Sequence, residues 1–197
     1  MLDKTIPYAG FYMVRKAGTP IPDFPLPEGF TFAMYQDGEE EQWAKLETAV
    51  LEFGSEFEAL MYFKETFEPD KPELYKRLLF IKDSNGKVAA TANAWWSFID
   101  NNRRAWVHWV STSPDYQGLG LGKAISAKVT KLMTEIEGDV DVFLHTQTWS
   151  YKAVSIYEKC GYVMTDEKIL YKRPGKKDSY KKAVRILKEL QKKNSKN

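Results

Sequence analysis

The chain has 197 residues, and 43% of them are hydrophobic, which is enough to bury one core. A formal net charge of +2 argues against a dedicated nucleic-acid binder, and the single cysteine, Cys160, excludes an internal disulfide and fits a reducing compartment. Because the sequence has no apolar run long enough to span a membrane, no signal-peptide core and no metal signature around His108 and His145, we expect a cytoplasmic protein that binds neither a membrane nor a metal.

Residues 1–29 are predicted to form an extended N-terminal arm, because they contain five prolines. The apolar stretch from Phe11 to Val14 indicates that this arm docks on the body of the same chain. Phe30 to Tyr35 is predicted to be a strand. A helical region with apolar residues at roughly helical spacing follows as far as about Thr66.

Three antiparallel strands are predicted in the middle of the chain. The first runs from Arg77 to Ile81, and the Asn85-Gly86 dipeptide, a strong hairpin signal, connects it to a second strand from Lys87 to Phe98. A polar turn at Asp100 to Asn102 leads into the third strand, from Arg103 to Thr112. These strands lead into a glycine-rich loop.

The loop from Gln117 to Lys123 is the most informative stretch of the chain. Its glycines leave room for backbone N–H groups to approach a ligand closely, and the apolar residues that follow recur at helical spacing. The glycines therefore open a helix, whose N-terminal amides and dipole favour an anion such as a phosphate. A glycine-rich surface turn that binds nothing is the alternative interpretation.

The spacing of this loop separates three phosphate-binding patterns. A P-loop requires Gly, and later Ser or Thr, where the chain has Gln117 and Ala124, and a dinucleotide fingerprint requires a third Gly where it has Lys123. The pattern Gln/Arg-x-x-Gly-x-Gly/Ala does fit Gln117, Gly120 and Gly122. In this pattern the loop resembles the coenzyme A loop of the GCN5-related N-acetyltransferase superfamily.

A second segment strengthens this resemblance. Ala153 to Tyr162 looks like the second signature of the superfamily, a short helix that carries a Tyr and is closed by Gly and an aromatic residue. Ser150 is predicted to be the N-cap of this helix and Gly161 its C-terminal stop, and a strand from Val140 to His145 separates the two signatures. The resemblance covers roughly residues 30–171 and implies an α/β (α+β) fold with a mixed, mostly antiparallel sheet flanked by helices.

Beyond the second signature we predict a hairpin of Tyr162 to Thr165 and Lys168 to Lys172. A Lys-rich amphipathic helix from Lys176 to Lys193 follows and is predicted to dock on the body of the chain; contact with a membrane, an acidic partner or nucleic acid is the less favoured alternative. The predicted organisation is an N-terminal arm at residues 1–29, an acetyltransferase domain at 30–172 and a basic C-terminal helix or tail at 173–197.

The resemblance implies a binding site for acetyl-CoA as co-substrate, without a metal. Backbone groups of the strand before the loop would pair with the pantetheine arm like an added strand, and the loop amides would hold the pyrophosphate. Lys123 either reaches a phosphate or is simply exposed, and Ser150 stands where relatives often have Asn. The implied cofactor-binding residues are Val110, Ser111, Thr112, Gln117, Gly118, Leu119, Gly120, Leu121, Gly122, Lys123, Ser150 and Tyr157.

Two residues are candidates for the catalytic steps. Tyr157 falls at the position where the superfamily commonly places its general acid, and a phenol with a pKa of about 10 can protonate a departing thiolate. Many relatives carry a Glu as base on the strand before the loop, but Arg103 to Thr112 contains neither Glu nor Asp. His108 is the candidate base on that strand, because an imidazole with a pKa of about 6.5 can deprotonate an ammonium at neutral pH. Packing roles for both residues, and a substrate that arrives as the free amine, stay open.

The implied function is transfer of an acetyl group to a primary amine of a small-molecule acceptor by direct attack in a ternary complex. If several of the tryptophans that border the cofactor groove converge, they would suit an aromatic or amphipathic amine, although core packing is the alternative for most of them. The alternative function is a non-catalytic acyl-CoA-binding sensor or interaction module of the same fold. Neither nucleic acid nor a membrane is expected as a partner, and a homodimer is left open.

Overall fold

The computed structural model describes residues 2–171 and 178–194, and within them the chain forms one seven-stranded sheet. The strands lie in the order β2-β3-β4-β5-β6-β1-β7, and neighbouring strands are antiparallel except for β5 and β6, which are parallel. This mixed, mostly antiparallel sheet confirms the fold class expected from the sequence. The strands are β1 (Gly10–Arg15), β2 (Phe30–Met34), β3 (Leu78–Asp83), β4 (Val88–Ile99), β5 (Asn102–Thr112), β6 (Val142–Gln147) and β7 (Val163–Thr165).

Helices cover both faces of the sheet, and the alternation of side chains along β4 shows how. Ala92 and Ala94 lie on the face that packs with Ile125 of α4, whereas Trp95 on the opposite face packs in a separate core with Trp43 of α1. The sheet is therefore the middle layer between two apolar cores. The helices are α1 (Glu40–Ala49), α2 (Glu56–Phe67), α3 (Lys71–Arg77), α4 (Leu121–Glu137), α5 (Tyr151–Lys159) and α6 (Ser179–Asn194).

The predicted helical region before Thr66 consists of two helices. Leu51 has a φ of 72°, a left-handed conformation that cannot continue α1. Ser55 then caps α2, because its hydroxyl accepts a hydrogen bond from the backbone N–H of Glu58 at 3.2 Å. The intervening connection carries Glu52, which lines the cavity described below.

The N-terminal arm contributes an inner strand to the sheet, next to the edge strand β7. β1 lies between β6 and β7 and is antiparallel to both. Phe11 and Met13 are fully buried, so the expected docking of this apolar stretch takes the form of sheet pairing. The prolines of residues 1–29 all lie outside β1. Counting them over the whole arm therefore did not reveal the proline-free stretch that can pair as a strand.

The predicted hairpin of Tyr162 to Thr165 and Lys168 to Lys172 is wrong. β7 pairs with β1, and Lys168–Tyr171 forms a turn of 3-10 helix; the last residue of the predicted hairpin lies outside the described ranges. Tyr171 explains the difference, because its buried hydroxyl accepts a hydrogen bond from the N–H of Tyr12 in β1 at 3.2 Å. Side-chain burial thus takes this segment out of the extended conformation.

The predicted C-terminal helix is present as α6 and packs against β1. Ala183, Ile186 and Leu187 are buried on its inner face, and the hydroxyl of Ser179 donates a hydrogen bond to the carbonyl of Gly10. The first predicted residues of this helix lie outside the described ranges. Across residues 2–171 and 178–194, no helix combines the length and apolar character needed to cross a membrane.

Candidate active site

A β-bulge interrupts the pairing of β4 and β5. Thr91 pairs with Ser111 and Asn93 pairs with His108, so β5 has one more residue than β4 between these two pairs. Trp109 lies inside the bulge with a φ of 51°, a left-handed conformation that costs a non-glycine residue about 1–2 kcal/mol. Such strain persists only where the surroundings enforce it, and it concentrates at functional sites.

Aromatic packing holds Trp109 in this conformation. Its ring stacks on Phe53 with centroids 5.1 Å apart, and it meets the edges of Tyr62 at 5.1 Å and Trp43 at 5.7 Å. These partners come from α1, α2 and their connection. The two helices therefore fix the shape of β5 at the bulge.

A cavity of about 600 Å³ lies beyond the point where β5 and β6 pair. The recorded pairing joins Trp106 to Phe143, and their rings stack with centroids 5.8 Å apart. From that pair onward, β5 lines the cavity with residues 106–111 and β6 with residues 145–147. α5 adds Tyr157, and the connection between α1 and α2 adds Glu52. The cavity therefore joins the bulge, both histidines and the predicted Tyr.

The glycine loop leads from the end of β5 into α4. Gly118 and Gly120 have φ values of 86° and 88°, and a Cβ at either position would meet no atom within 4 Å, so both backbones face open space. The first bonds of the helix run from the N–H groups of Lys123 and Ala124 to the carbonyl of Gly120. Gly122 lies inside α4, where a Cβ would meet Ile156 at 3.2 Å. The loop is thus an open, amide-lined helix start.

The arrangement fits acetyl-CoA. The open glycines and the free amides of the first turn of α4 would hold the pyrophosphate. Val110 to Thr112 lie beyond the recorded β5–β6 pair, so those of their backbone groups that do not pair with β4 would be available to a pantetheine arm. Gln117 turns back and donates from Nε2 to the carbonyl of Thr112 at 3.2 Å, while Leu119 and Lys123 are exposed. These backbone features would hold the cofactor with few side-chain contacts.

Ser150 and Gly161 bound α5 as the sequence predicts, with one difference. Ser150 is the N-cap residue and lines the cavity, but its side chain makes no capping hydrogen bond. The missing bond follows from its φ of −96° and ψ of 28°, which depart from the extended conformation usual for a capping Ser. Gly161 has a φ of 86°, which ends the helix.

Tyr157 lies on α5 with 7% of its surface exposed, at the wall of the cavity. Burial is the main cause that raises the pKa of Tyr157, and repulsion from Tyr162, Glu52 and Glu47 raises it further. The phenol is therefore protonated at neutral pH and presents a hydrogen-bond donor.

His108 lines the same cavity and is held as a neutral imidazole. Burial lowers its pKa to about 4, although a hydrogen bond to the backbone of Trp96 acts in the opposite direction, and proximity to His145 lowers the pKa further. Each histidine lies two positions after the paired Trp106 or Phe143 on its own strand, so both histidines lie on one face of the sheet.

Glu47 is a buried acid that sequence reasoning missed. It has no exposed surface, and the hydroxyl of Ser111 donates a hydrogen bond to its Oε2 at 2.9 Å. Burial raises its pKa to about 8, against the opposing effect of Ser111, and repulsion by Glu52 adds to the rise. The sequence did contain a signal, because Glu47 falls at helical spacing between the apolar residues Trp43 and Val50.

Glu52 is the second missed acid. Its carboxylate lines the cavity and accepts a hydrogen bond from Nε2 of Gln147 in β6 at 3.4 Å, and burial raises its pKa. Asp100 also lines the cavity, whereas no Lys or Arg does so among residues 2–171 and 178–194. In the described part of the chain, the charged side chains at this cavity are therefore acidic.

Comparison with known proteins identifies the class. The family model for the acetyltransferase (GNAT) family matches residues 40–162, which include α1, the bulge, the glycine loop and α5. The chain therefore belongs to the GNAT acetyltransferase family, as the resemblance in its two signatures implied. No curated protein sequence matches the chain.

Solved structures share the fold at low sequence identity. A GCN5-related N-acetyltransferase from Sphaerobacter thermophilus is 19% identical with a TM-score of 0.64, over 81% of this chain and 49% of that one. A GNAT-family acetyltransferase from Colwellia psychrerythraea is 12% identical with a TM-score of 0.61, over 81% and 54%. Glucosamine-6-phosphate N-acetyltransferase from Arabidopsis thaliana is 20% identical with a TM-score of 0.50, over 68% and 91%. The present chain spans about half the length of the first two.

Proposed function

We propose that the protein transfers an acetyl group from acetyl-CoA to a primary amine of a small-molecule acceptor, by direct attack in a ternary complex. One observation carries this proposal. The open glycine start of α4 follows β5 along the chain, and the stretch of β5 from Trp106 to Ser111 borders one cavity together with Tyr157. A cofactor held by the first two would therefore place its acyl end near the third.

The chain's own residues would act by binding and by moving protons. Acetyl-CoA supplies an activated thioester. The amides of the loop from Gly118 to Gly122 would fix its pyrophosphate, and Val110 to Thr112 would align its pantetheine arm, which holds the thioester close to the acceptor. Tyr157 would donate its proton to the departing sulfur. His108, neutral and facing the cavity, is one candidate to receive a proton from the amine.

The charges of the cavity favour a cationic acceptor without an acidic group. Glu52 and Asp100 would attract an ammonium, and the rings of Tyr12 and Trp106, whose centroids are 5.8 Å apart, offer an apolar wall. A phosphate, such as the one named for the Arabidopsis relative, would face these carboxylates, and no described Lys or Arg lines the cavity to pair with it. We therefore propose an amine with an apolar body and no phosphate or carboxylate.

The test is release of free coenzyme A thiol from acetyl-CoA in the presence of a panel of amines, with and without acidic groups. Replacing Tyr157 with Phe is expected to lower kcat by about 10²–10⁴-fold, the range for loss of a general acid, and to leave the Kd for acetyl-CoA nearly unchanged. Tyr162→Phe is the matched control, because the hydroxyl of Tyr162 pairs with Thr130 and not with the cavity.

Two outcomes would contradict the proposal. A Tyr157→Phe variant that turns over at the parental rate would remove Tyr157 as the acid. Tight binding of acetyl-CoA with no transfer to any amine of the panel would favour the acyl-CoA-binding module instead.

A further inference from the structure

A carboxyl group reaches the bulge of β5 from a different element. β5 itself has no Glu or Asp between Arg103 and Thr112. α1 supplies Glu47, whose Oε2 accepts the hydrogen bond from Ser111, and Ser111 in turn lines the cavity. The strand that lacks an acid is therefore connected to one by a single hydroxyl.

We propose that Ser111 and Glu47 form a proton relay that takes the first proton from the acceptor ammonium. In this step the ammonium gives an N–H proton to Oγ of Ser111, while the Oγ–H proton of Ser111 passes to the carboxylate of Glu47. The amine becomes neutral and nucleophilic, Ser111 is unchanged and Glu47 becomes a carboxylic acid. Its proton returns through Ser111 to solvent after the product has left. This inference rests on the proposed amine acetylation.

The surroundings of Glu47 are unlike those of a structural acid. A buried carboxyl is normally satisfied at both oxygens. Here Oε1 is buried without a hydrogen-bond partner among the described residues, and the same holds for the side-chain oxygens of Thr91 and Asn93 on β4. Ser111 is thus the donor recorded for this carboxyl, and it is the residue that faces the cavity. Glu47 is therefore connected to the cavity by the hydroxyl of Ser111.

Proton affinity favours this relay over His108. A base works well when its pKa lies near the operating pH. Burial raises the pKa of Glu47 to about 8, whereas it lowers the pKa of His108 to about 4. The relay therefore ends at a group that holds a proton from an ammonium far better than His108 does.

Titratable groups that interact with Glu47 lie on the connection between α1 and α2 and on α5. Repulsion from Glu52, on the connection between α1 and α2, raises its pKa, and Glu47 in turn acts on the phenol of Tyr157 on α5. On β4 and β5, Thr91, Asn93 and Ser111 are uncharged, and the titratable His108 is neutral because burial lowers its pKa to about 4.

Glu47→Gln is the direct test, because the amide retains an oxygen that can accept from Ser111 and carries no charge. For the parent, kcat/KM should rise with pH around an apparent pKa near 8. In the variant that limb should vanish, and kcat at pH 8 should fall about 10²–10⁴-fold. The ratio of parental to variant kcat should be more than tenfold smaller at pH 6 than at pH 8, because only about one Glu47 in a hundred is ionised at pH 6. Ser111→Ala should likewise remove the limb and lower kcat. Ser111→Thr, which keeps a hydroxyl, should retain activity close to that of the parent.

Glu52→Gln is the matched control. It should raise KM for the acceptor and keep the pH-dependent limb of the profile, shifted to lower pH because the repulsion from Glu52 is removed. A Glu47→Gln variant that is folded and keeps the parental pH profile would overturn the relay but not the acetyltransfer. Loss of the limb in His108→Gln, with Glu47→Gln unaffected, would assign the proton to His108 instead. A parent that binds acetyl-CoA and acetylates no amine would overturn both proposals.

Discussion

Glu47 carries a cost in stability that depends on pH. Its carboxyl has a pKa of about 8 in the folded chain, against a value near 4.5 when solvated. Between these values the folded state keeps a proton that the unfolded state has lost, so stability falls as pH rises through this window. The full penalty, reached above pH 8, is on the order of 5 kcal/mol.

The first prediction at the scale of a residue follows from that cost. Glu47→Gln should remove most of the penalty, so the variant should lose less stability than the parent between pH 5 and pH 9. The measurement is the free energy of unfolding in urea at several pH values. Glu41→Gln, an exposed position on the same helix, serves as the control. Equal pH dependence in the parent and Glu47→Gln would show that this carboxyl is not buried as described, independently of any activity.

Individual site residues differ in how far the sequence could predict them. Tyr157 and the glycines follow from motifs that tie residue type to position. In the structure Tyr157 lines the cavity, and Gly118 and Gly120 lie at the open start of α4. Glu47 and Glu52 belong to no motif, and their importance comes from where α1 and its connection pack on β5. The available signal was the position of Glu47 on the core-facing side of a predicted helix. Its role could be interpreted only once the structure showed its contact with Ser111 of β5.

At the scale of elements, sequence patterns correctly predicted the turns, strands and helices that depend mainly on contacts between residues close in sequence. The Asn85-Gly86 turn, the long strands β4 and β5, and the helix after the glycine loop all appear where the alternation and spacing put them. β1 and the 3-10 turn at Lys168–Tyr171 were missed, because pairing between residues far apart in sequence and the burial of Tyr171 decide both. Nonlocal contacts of this kind leave no periodic signal in a single segment.

The docking of α6 yields a prediction at this scale. Ala183 is fully buried where α6 packs on the body of the chain. Ala183→Asp should therefore lower the free energy of unfolding by about 3 kcal/mol, since it would bury an unpaired charge. Lys182→Asp, at the exposed neighbouring position, should change it by less than about 1 kcal/mol. Urea denaturation of both variants provides the measurement, and equal effects would contradict docking through this face.

At the scale of the whole molecule, two layers of helices shape one sheet so that its middle opens. The core with α1 and α2 strains β5 at Trp109, and the core with α4 anchors the glycine loop at the end of the same strand. Both features belong to β5, whose stretch beyond its pairing with β6 lines the cavity. The family and fold could be predicted from two short motifs, but the acidic character of the cavity could not, because its residues come from separate parts of the chain.

The central claim is that the glycine loop binds the pyrophosphate of acetyl-CoA, and calorimetric titration tests it most directly. Gly120→Glu would put bulk and negative charge at the open start of α4, while Gly86→Glu, also at a glycine with positive φ and open space, controls for backbone strain. We predict micromolar binding by the parent and by Gly86→Glu, and none by a folded Gly120→Glu. A folded parent that does not bind acetyl-CoA, or a Gly120→Glu variant that binds as tightly as the parent, would contradict the account.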